Sequence, residues 1–248
     1  MNKNTREIWR GPSMIDGKGI VLLASGFDDP SDNGKTGNMI QTWVMLAEME
    51  PHLAIKTGQD ESICGGCPLR GDGTGKARPC YVRVYQAPLA IYRSWKAGNV
   101  AKMSSGEAAR IIARDKRGFR LGSYGDPAAV PISVWQPMAD AAVVRTGYTH
   151  QWRTAPAGFS SILMASVDTP EEYFAAQEMG WRTFRPRGEN EEMLAGEFQC
   201  PAAEESGKRK TCAECGACDG ANKDDRRASP SLVVHGAQKG QWEKAMAK

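Results

Sequence analysis

The sequence has no apolar run long enough to cross a membrane. The longest run near its start, Ile20–Ala24, is far shorter than the roughly 20 residues that a bilayer-spanning helix needs, and charged residues flank it. A secretory signal requires an apolar core of about 7–15 residues followed by a small-residue cleavage site. We therefore expect a buried strand here, no membrane partner and a cytoplasmic location.

A large excess of one charge is also missing. Lys and Arg number 32 against 29 Asp and Glu in 248 residues, which gives a net charge of +3. This is too small to indicate a nucleic-acid partner on charge alone. The hydrophobic fraction of 41% and the charged fraction of 25% are typical of globular proteins. They argue against collagen-like, coiled-coil and wholly disordered chains.

Alternating strand and helix signals dominate the middle of the chain. Thr169-Pro170-Glu171-Glu172 combines an N-cap, a proline at the first helical position and two acids near the positive helix end, and predicts a helix to Met179. Such alternation is typical of parallel βα units. The predicted class is α/β, a partial (open) βα barrel with parallel strands plus Cys-rich metal-binding loops; a doubly wound sheet also fits. The other predicted strands are 19–25, 81–85, 119–124, 148–152, 161–167, 181–185 and 231–235, the other predicted helices are 88–97, 105–117 and 132–145, and 40–46 is a strand or short helix.

Composition divides the chain into three regions. Residues 1–63 are a lead-in with the first strands, in which 1–18 are expected to be irregular because of the turn signals Gly11-Pro12 and Asp16-Gly17. Residues 64–195 form the βα core and carry a three-cysteine loop. Residues 196–248 are a Cys-rich auxiliary metal segment with a last strand.

Seven cysteines fall into two groups, and in a reducing cytosol clustered cysteines are more often metal ligands or redox groups than disulfides. The second cysteine group contains Cys212, Cys215 and Cys218 in a C-x2-C-x2-C run, with Cys200 before Pro201 upstream. Bacterial ferredoxins use such a run with a remote Cys-Pro to bind cubane clusters. Four thiolates suit a [4Fe–4S] cluster or a tetrahedral zinc ion, so both interpretations stay open.

The first cysteine group contains Cys64, Cys67 and Cys80, spaced C-x2-C-x12-C in a segment rich in Gly, Pro and basic residues. With a fourth ligand, for which His52 is one candidate, the group is a structural zinc knuckle. Without one, a cubane held by three thiolates exposes an iron that can bind a small molecule. Radical S-adenosylmethionine (SAM) enzymes require the latter arrangement.

Three segments carry a resemblance to a known family. Cys80-Tyr81 follows two upstream cysteines, and Gly122-Ser123-Tyr124-Gly125-Asp126-Pro127 and Ser166-Val167-Asp168 come later. This order resembles that of radical-SAM-like iron–sulfur proteins, including small ones encoded by bacteriophages, for which the location is the host cytoplasm. The resemblance implies that the first cysteine group ligates an open [4Fe–4S] cluster and that Gly125 and Asp126 contact the SAM amino group. It also implies that later strand ends line a substrate cavity.

The candidate cofactor-binding residues lie in two places. Ser123, Tyr124, Gly125 and Asp126 follow a predicted strand, where α/β folds bind ligands, although Gly-Asp-Pro is also ordinary turn chemistry. Lys35 belongs to a segment similar to the end of a phosphate-binding loop that lacks the required earlier glycine. We interpret this segment either as a simple turn or as one in which Lys35 contacts an acidic ligand group.

Three further residues are candidate catalytic groups. Tyr148 and His150 stand in the hydrogen-bonding segment Tyr148–Trp152, and His150 at a strand end is a candidate acid, base or substrate contact; a satisfied core histidine is the alternative. Asp168 ends a predicted strand and either points into a cavity or supports the following helix.

The resulting hypothesis is a radical-SAM-like iron–sulfur enzyme that cleaves SAM to abstract hydrogen from a small-molecule, nucleotide or nucleic-acid substrate. It implies one or two [4Fe–4S] clusters, SAM and a reductant protein as partner. The alternative is a non-catalytic nucleic-acid-binding protein with zinc-stabilised loops, in which basic residues near the second cysteine group contact phosphates. An electron carrier that uses only the second group leaves the first unexplained.

Overall fold

The structure is a computed structural model that describes residues 2–29, 34–74 and 78–246. The described residues form one ten-stranded sheet with helices. The strands are β1 (Asn2–Pro12), β2 (Gly19–Ser25), β3 (Met39–Leu46), β4 (Val100–Lys102), β5 (Gly118–Tyr124), β6 (Val144–Thr149), β7 (Met164–Ser166), β8 (Thr183–Arg187), β9 (Glu197–Gln199) and β10 (Ser229–Val233). The α-helices are α1 (Pro51–Lys56), α2 (Glu61–Cys64), α3 (Ala87–Lys96), α4 (Ser105–Arg114), α5 (Ile132–Ala141), α6 (Pro170–Glu178), α7 (Cys212–Cys215) and α8 (Lys239–Met246).

The sheet is open and mostly parallel, in the order β4-β1-β2-β3-β5-β6-β7-β8-β10-β9. Strand β2 pairs antiparallel with both β1 and β3, whereas every other neighbouring pair is parallel. The predicted open α/β arrangement is confirmed at this level. All three regions predicted from composition contribute strands to the one sheet.

The expected irregular lead-in is wrong, because 2–12 form the long strand β1. Its residues Thr5 to Pro12 pair with β2 from Ser25 back to Gly19. The polar sequence of β1 gives no local strand signal, because the strand is held by its pairing with the buried apolar strand β2. Non-local pairing of this kind overrides weak local strand signals.

The central strands have two different faces. Phe119 of β5 faces α5, where its ring centroid lies 6.2 Å from that of Trp135. The next residue, Arg120, points to the opposite face, because side chains alternate along a strand, and there its guanidinium lies over the ring of Tyr148 from β6. One face is therefore the apolar helix-covered core, and the other, the inner face, is polar.

Several boundaries differ from the sequence predictions. Helix α5 ends at Ala141 because Ala142 is extended, so β6 covers 144–149, whereas the helix was predicted to continue to 145 and the strand to begin at 148. Strand β7 is only Met164–Ser166, since Ala157–Ser161 form a 3-10 helix. The predicted strand Tyr81–Tyr85 does not form; this stretch is an extended segment followed by a turn.

The helix at Thr169 is confirmed, including its cap. The Thr169 hydroxyl accepts a hydrogen bond from the backbone N–H of Glu172 at 3.2 Å, and α6 runs to Glu178. Among the described helices, none combines the length and the apolar character needed to cross a bilayer.

Candidate metal and substrate site

Four polar residues lie just beyond the carboxyl ends of three adjacent parallel strands. Tyr124 and Asp126 stand at the end of β5, His150 directly follows β6, and Asp168 follows β7 by two residues. Open α/β sheets bind their ligands at this edge. The order of the strands therefore brings together residues that are far apart in the sequence.

The loop of the first cysteine group is fastened to this edge by backbone contacts. The backbone N–H of Asp126 donates to the carbonyl of Ile63 at 2.6 Å, and the side-chain amide of Gln151 donates to the carbonyl of Cys64 at 3.0 Å. Within the loop, the N–H of Cys67 donates to the Cys64 carbonyl at 3.2 Å. The segment is therefore anchored to the ends of both β5 and β6.

The three thiols of this loop are electrostatic neighbours. Burial raises the pKa of the Cys64 thiol well above its ordinary value, and the charges of Cys67, Asp60 and Cys80 add to the rise. Burial also raises the pKa of Cys80, partly offset by the Arg78 guanidinium. Buried thiols that disfavour one another's ionisation need a cation before they can act as thiolates together.

His150 lies between Cys67 and Asp168. Its Nε2 is 3.2 Å from Oδ2 of Asp168, and its side chain also contacts the Cys67 sulfur. Burial alone would lower the pKa of His150, but Cys67 and Asp168 reverse this and raise it well above its ordinary value. Because Thr169 caps α6, the Asp168 carboxylate is available to the imidazole.

The Tyr124 hydroxyl is buried without a hydrogen-bond partner in the described part of the chain. The residue is 2% exposed. Burial raises its pKa well above the ordinary value, and the Cys64 thiol adds the largest electrostatic contribution to that rise. A buried hydroxyl of this kind normally has a partner, so Tyr124 has an unused polar atom beside the first cysteine group.

The other residues of the predicted cofactor turn are already engaged. Asp126 accepts hydrogen bonds from the backbone N–H groups of Ala128 and His150, both at 2.9 Å. Ser123 donates to the side-chain oxygen of Gln41 at 2.6 Å. Gly125 has a φ of +76°, and a Cβ there would meet the Val44 backbone oxygen at 2.7 Å. These three residues shape the turn, and Tyr124 alone presents an unpaired polar atom.

The structure places Lys35 with the second cysteine group. Its Nζ lies 2.8 Å from Nε2 of His235, and its charge lowers the pKa of Cys212, which burial raises overall. The carbonyl of Lys35 accepts a hydrogen bond from the N–H of Cys212 at 2.8 Å, and that of Thr36 accepts one from Ala213 at 3.1 Å. Helix α7 is thus docked on the turn at 34–36.

The second cysteine group lines one small cavity on the inner face of the sheet. The cavity measures about 20 Å³, which is room for about one water molecule. Its walls include all four cysteines and Thr146 and Tyr148 of β6. Burial raises the pKa of Cys218 to about 12, although a hydrogen bond from Tyr148 lowers it in part. Tyr148 is therefore a wall residue of the second group, apart from the His150–Asp168 pair.

Arg120 lies between the two cysteine groups. Its Nη2 donates to the Tyr81 hydroxyl at 2.9 Å, and Tyr81 follows Cys80. Burial lowers the pKa of Arg120, but Tyr81, Tyr148 and the thiols of Cys212 and Cys218 outweigh this and raise it. In the described chain no carboxylate pairs with this nearly buried cation, and its electrostatic partners are two tyrosines and the thiols of the second cysteine group.

The donor chemistry of both groups fits metal. Three partly buried thiols with an imidazole at the first group, and four thiols at the second, are the donors that zinc and iron–sulfur centres use. Within 2–29, 34–74 and 78–246, no three His, Cys, Asp or Glu side chains converge at ion-binding distances. His52, the candidate fourth ligand, instead contacts Glu50 at 3.4 Å and the ring of Tyr85.

No protein-family model, curated protein or solved structure matches this chain. The resemblance to radical-SAM-like proteins therefore rests on the residues alone.

Two relationships were missed in the sequence. The pairing of His150 with Asp168 follows from the adjacency of β6 and β7, and both residues come directly after parallel strands, which is the signal that could have found it. Arg120 could have been noticed as a charged residue inside a buried strand, where unpaired charge is costly.

Proposed function

We propose that the protein is a radical-SAM-type iron–sulfur enzyme whose reactive centre is the first cysteine group. The observation that supports it best is the anchoring of the first cysteine loop beside Tyr124, His150 and Asp168, beyond the carboxyl ends of β5, β6 and β7. A metal centre at this position lies at the carboxyl ends of the parallel strands, which is where open α/β sheets bind their substrates.

The residues of the site have separate roles. Cys64, Cys67 and Cys80 hold the iron, and their side chains must turn inward to do so. Tyr124 offers its unpaired hydroxyl to a bound ligand. Asp168 keeps the His150 imidazole against the Cys67 sulfur, and hydrogen bonds to ligating sulfurs tune the potential of such centres.

The cofactors supply the chemistry. A three-thiolate cluster held there would supply, with an electron from a reductant protein, the reductive cleavage of SAM to methionine and a 5′-deoxyadenosyl radical, which would take a hydrogen atom from the substrate. The protein's own part is to position SAM and substrate and to exclude water. The second cysteine group, on the inner face, acts as an auxiliary centre that braces the fold or relays electrons.

A closed metal centre is the second candidate, and the contact between His150 and Cys67 favours it. Metal-bound histidines usually pair with a carboxylate, as His150 does with Asp168. With His150 as fourth ligand the first group is a Cys3His zinc site with no vacant position. The protein is then a zinc-stabilised binding scaffold, with nucleic acid as its partner.

Anaerobic reconstitution with iron and sulfide, followed by metal analysis, separates the two candidates. The proposed enzyme takes up about eight irons per chain, and Cys64→Ala and Cys218→Ala each lose about four. His150→Ala keeps all eight, as does the histidine control His235→Ala. The electron paramagnetic resonance signal of the reduced first cluster changes on addition of SAM, and Cys64→Ala removes that change.

Two results contradict the proposed enzyme. One is colourless protein with stoichiometric zinc that SAM does not affect. The other is loss of the first centre's metal in His150→Ala but not in His235→Ala, because this makes His150 a ligand and leaves no position for SAM.

A further inference from the structure

An exposed aromatic strip lies directly beside the first cysteine group. It consists of Tyr81, Arg83 and Tyr85, whose side chains alternate with the inward-facing Val82 and Val84. Tyr81 is 68% exposed and Tyr85 63%, the largest values among aromatic residues of the described chain. Two large rings left in solvent on either side of a cation need an explanation beyond packing.

Both rings are held in place although their faces are open. The Tyr81 hydroxyl accepts the hydrogen bond from Arg120, and the Tyr85 ring lies 5.3 Å from that of His52. Between them, Arg78 donates to the carbonyl of Val82 at 2.9 Å and fixes the backbone. A surface that is ordered before binding loses less conformational entropy when a ligand arrives.

The charge of the strip is positive and available. Among the described residues, none forms a hydrogen bond or an ion pair with the exposed Arg83 side chain. Glu50, which contacts the His52 that packs on Tyr85, is already paired with Arg93 at 2.9 Å. The strip therefore presents one free guanidinium between two aromatic faces.

We propose that the aromatic strip binds single-stranded nucleic acid, with bases stacked on Tyr81 and Tyr85 and a phosphate on Arg83. Aromatic rings interleaved with cations are how proteins hold single strands, since every base has a face for stacking and every nucleotide a phosphate. A duplex offers no unstacked bases to these rings. Because Tyr81 follows Cys80, the bound strand lies beside the first cysteine group. The strip thereby gives single-stranded nucleic acid as the substrate class of the proposed enzyme. This identification as substrate rests on the proposed function, whereas binding of the strand to the strip does not.

Fluorescence anisotropy with labelled 12-nucleotide oligo(dT), oligo(U) and a 12-base-pair duplex tests this on the metal-loaded protein. We expect both single strands to bind and the duplex to bind much more weakly. Tyr85→Leu weakens single-strand binding about 5- to 100-fold. Arg83→Gln lowers the slope of log K against log salt by about 0.7. Phe174→Leu, at an aromatic residue that is 52% exposed on α6, and Arg110→Gln on α4 are the matched controls and leave binding unchanged.

Tyr81→Phe removes the hydroxyl but keeps the ring. We expect its affinity for single strands to stay within about 3-fold of that of the unaltered protein, because the ring provides the stacking. Equal binding of the duplex and the single strands overturns the proposal, as does single-strand binding that Tyr85→Leu and Arg83→Gln do not change. Absence of single-strand binding also overturns it. Iron content and the SAM-dependent spectral change are measured on the same samples, so failure of the strip is distinguished from failure of the iron–sulfur proposal.

Discussion

Arg120 donates a hydrogen bond to the Tyr81 hydroxyl at 2.9 Å, and this contact joins the surroundings of the two cysteine groups. Tyr81 is covalently attached to Cys80 of the first group, and the Arg120 guanidinium faces the thiols of Cys212 and Cys218 in the second. The charges of Arg120 and Lys35 both lower the pKa of Cys212, against the rise that burial causes. Arg120 therefore links the segment that holds the first cysteine group to the thiols of the second.

Replacing Arg120 by Gln should weaken metal retention by the second cysteine group. We expect about a 10- to 100-fold faster loss of its metal to a chelator, because a buried outer-shell partner of the thiolates is removed. Arg117→Gln is the control, since Arg117 is a buried arginine immediately before the same strand and donates to the Gly26 carbonyl. Equal rates of metal loss from the two variants would show that Arg120 has no special relation to the cysteines.

Tyr124→Phe should have opposite effects on the free and the ligand-bound protein. In metal-free protein we expect unchanged or higher stability, by up to about 1 kcal/mol, because a buried unpaired hydroxyl is removed. In metal-loaded protein we expect weaker SAM binding, because the same hydroxyl then has a partner. Thermal unfolding and equilibrium dialysis with SAM measure the two effects; a destabilised metal-free variant would mean that the hydroxyl is already satisfied.

Gly125→Ala should destabilise the protein more than Gly180→Ala, although both glycines have a φ near +80°. At Gly180 nothing lies within 4 Å of an added Cβ, so the cost is only the left-handed backbone, about 1–2 kcal/mol. At Gly125 the Cβ also meets the backbone of Val44, and we expect a further 1–3 kcal/mol. Urea unfolding of both variants gives the difference, and equal costs would mean that β3 moves aside.

Asp225→Asn should lower stability at neutral pH but not in acid. The Arg227 side chain holds the pKa of the Asp225 carboxyl well below its usual range. A lowered folded-state pKa stabilises the fold above the unfolded value of about 3.9, and this stabilisation is lost as the pH falls through the folded value. We expect a cost of about 1 kcal/mol at pH 7 that shrinks below about pH 4, since Arg227 is partly exposed.

The control for this prediction is Asp224→Asn, at an exposed neighbour with a φ of +59° that asparagine also tolerates. Urea unfolding between pH 3 and 7 measures both variants. A cost for Asp225→Asn that persists at pH 3 would show that the carboxylate charge is not its source.

Local signals predicted the elements whose stability is local. The Thr169 cap and the apolar strand at 19–25 were predicted correctly, because a capped helix and a fully buried strand each show in their own residues. Strand β1 was not predicted and the boundary between α5 and β6 was placed several residues too late, because the pairing partners of these strands lie elsewhere in the chain. Likewise, the segment 81–85 has the alternation of a strand without a neighbouring strand to pair with.

The candidate site was foreseen in its residue types but not in its pairings. Cys spacing pointed to both cysteine groups, and the strand-end residues were recognised one by one. Which of them meet depends on strand order, which no local pattern encodes: His150 joins Asp168 because β6 adjoins β7, whereas Tyr148, only two residues earlier, faces Cys218. The neighbours of Lys35 are likewise set by the docking of α7.

That docking has a consequence for biosynthesis. The carbonyls of Lys35 and Thr36, which receive the N–H groups of Cys212 and Ala213, leave the ribosome long before their partners do. Chains fold from the N-terminal side as they are made, so the nascent sheet exposes Arg120 and Tyr148 until its final quarter emerges. Under the proposed function we therefore expect metal to reach the second cysteine group late, after most of the sheet has already formed.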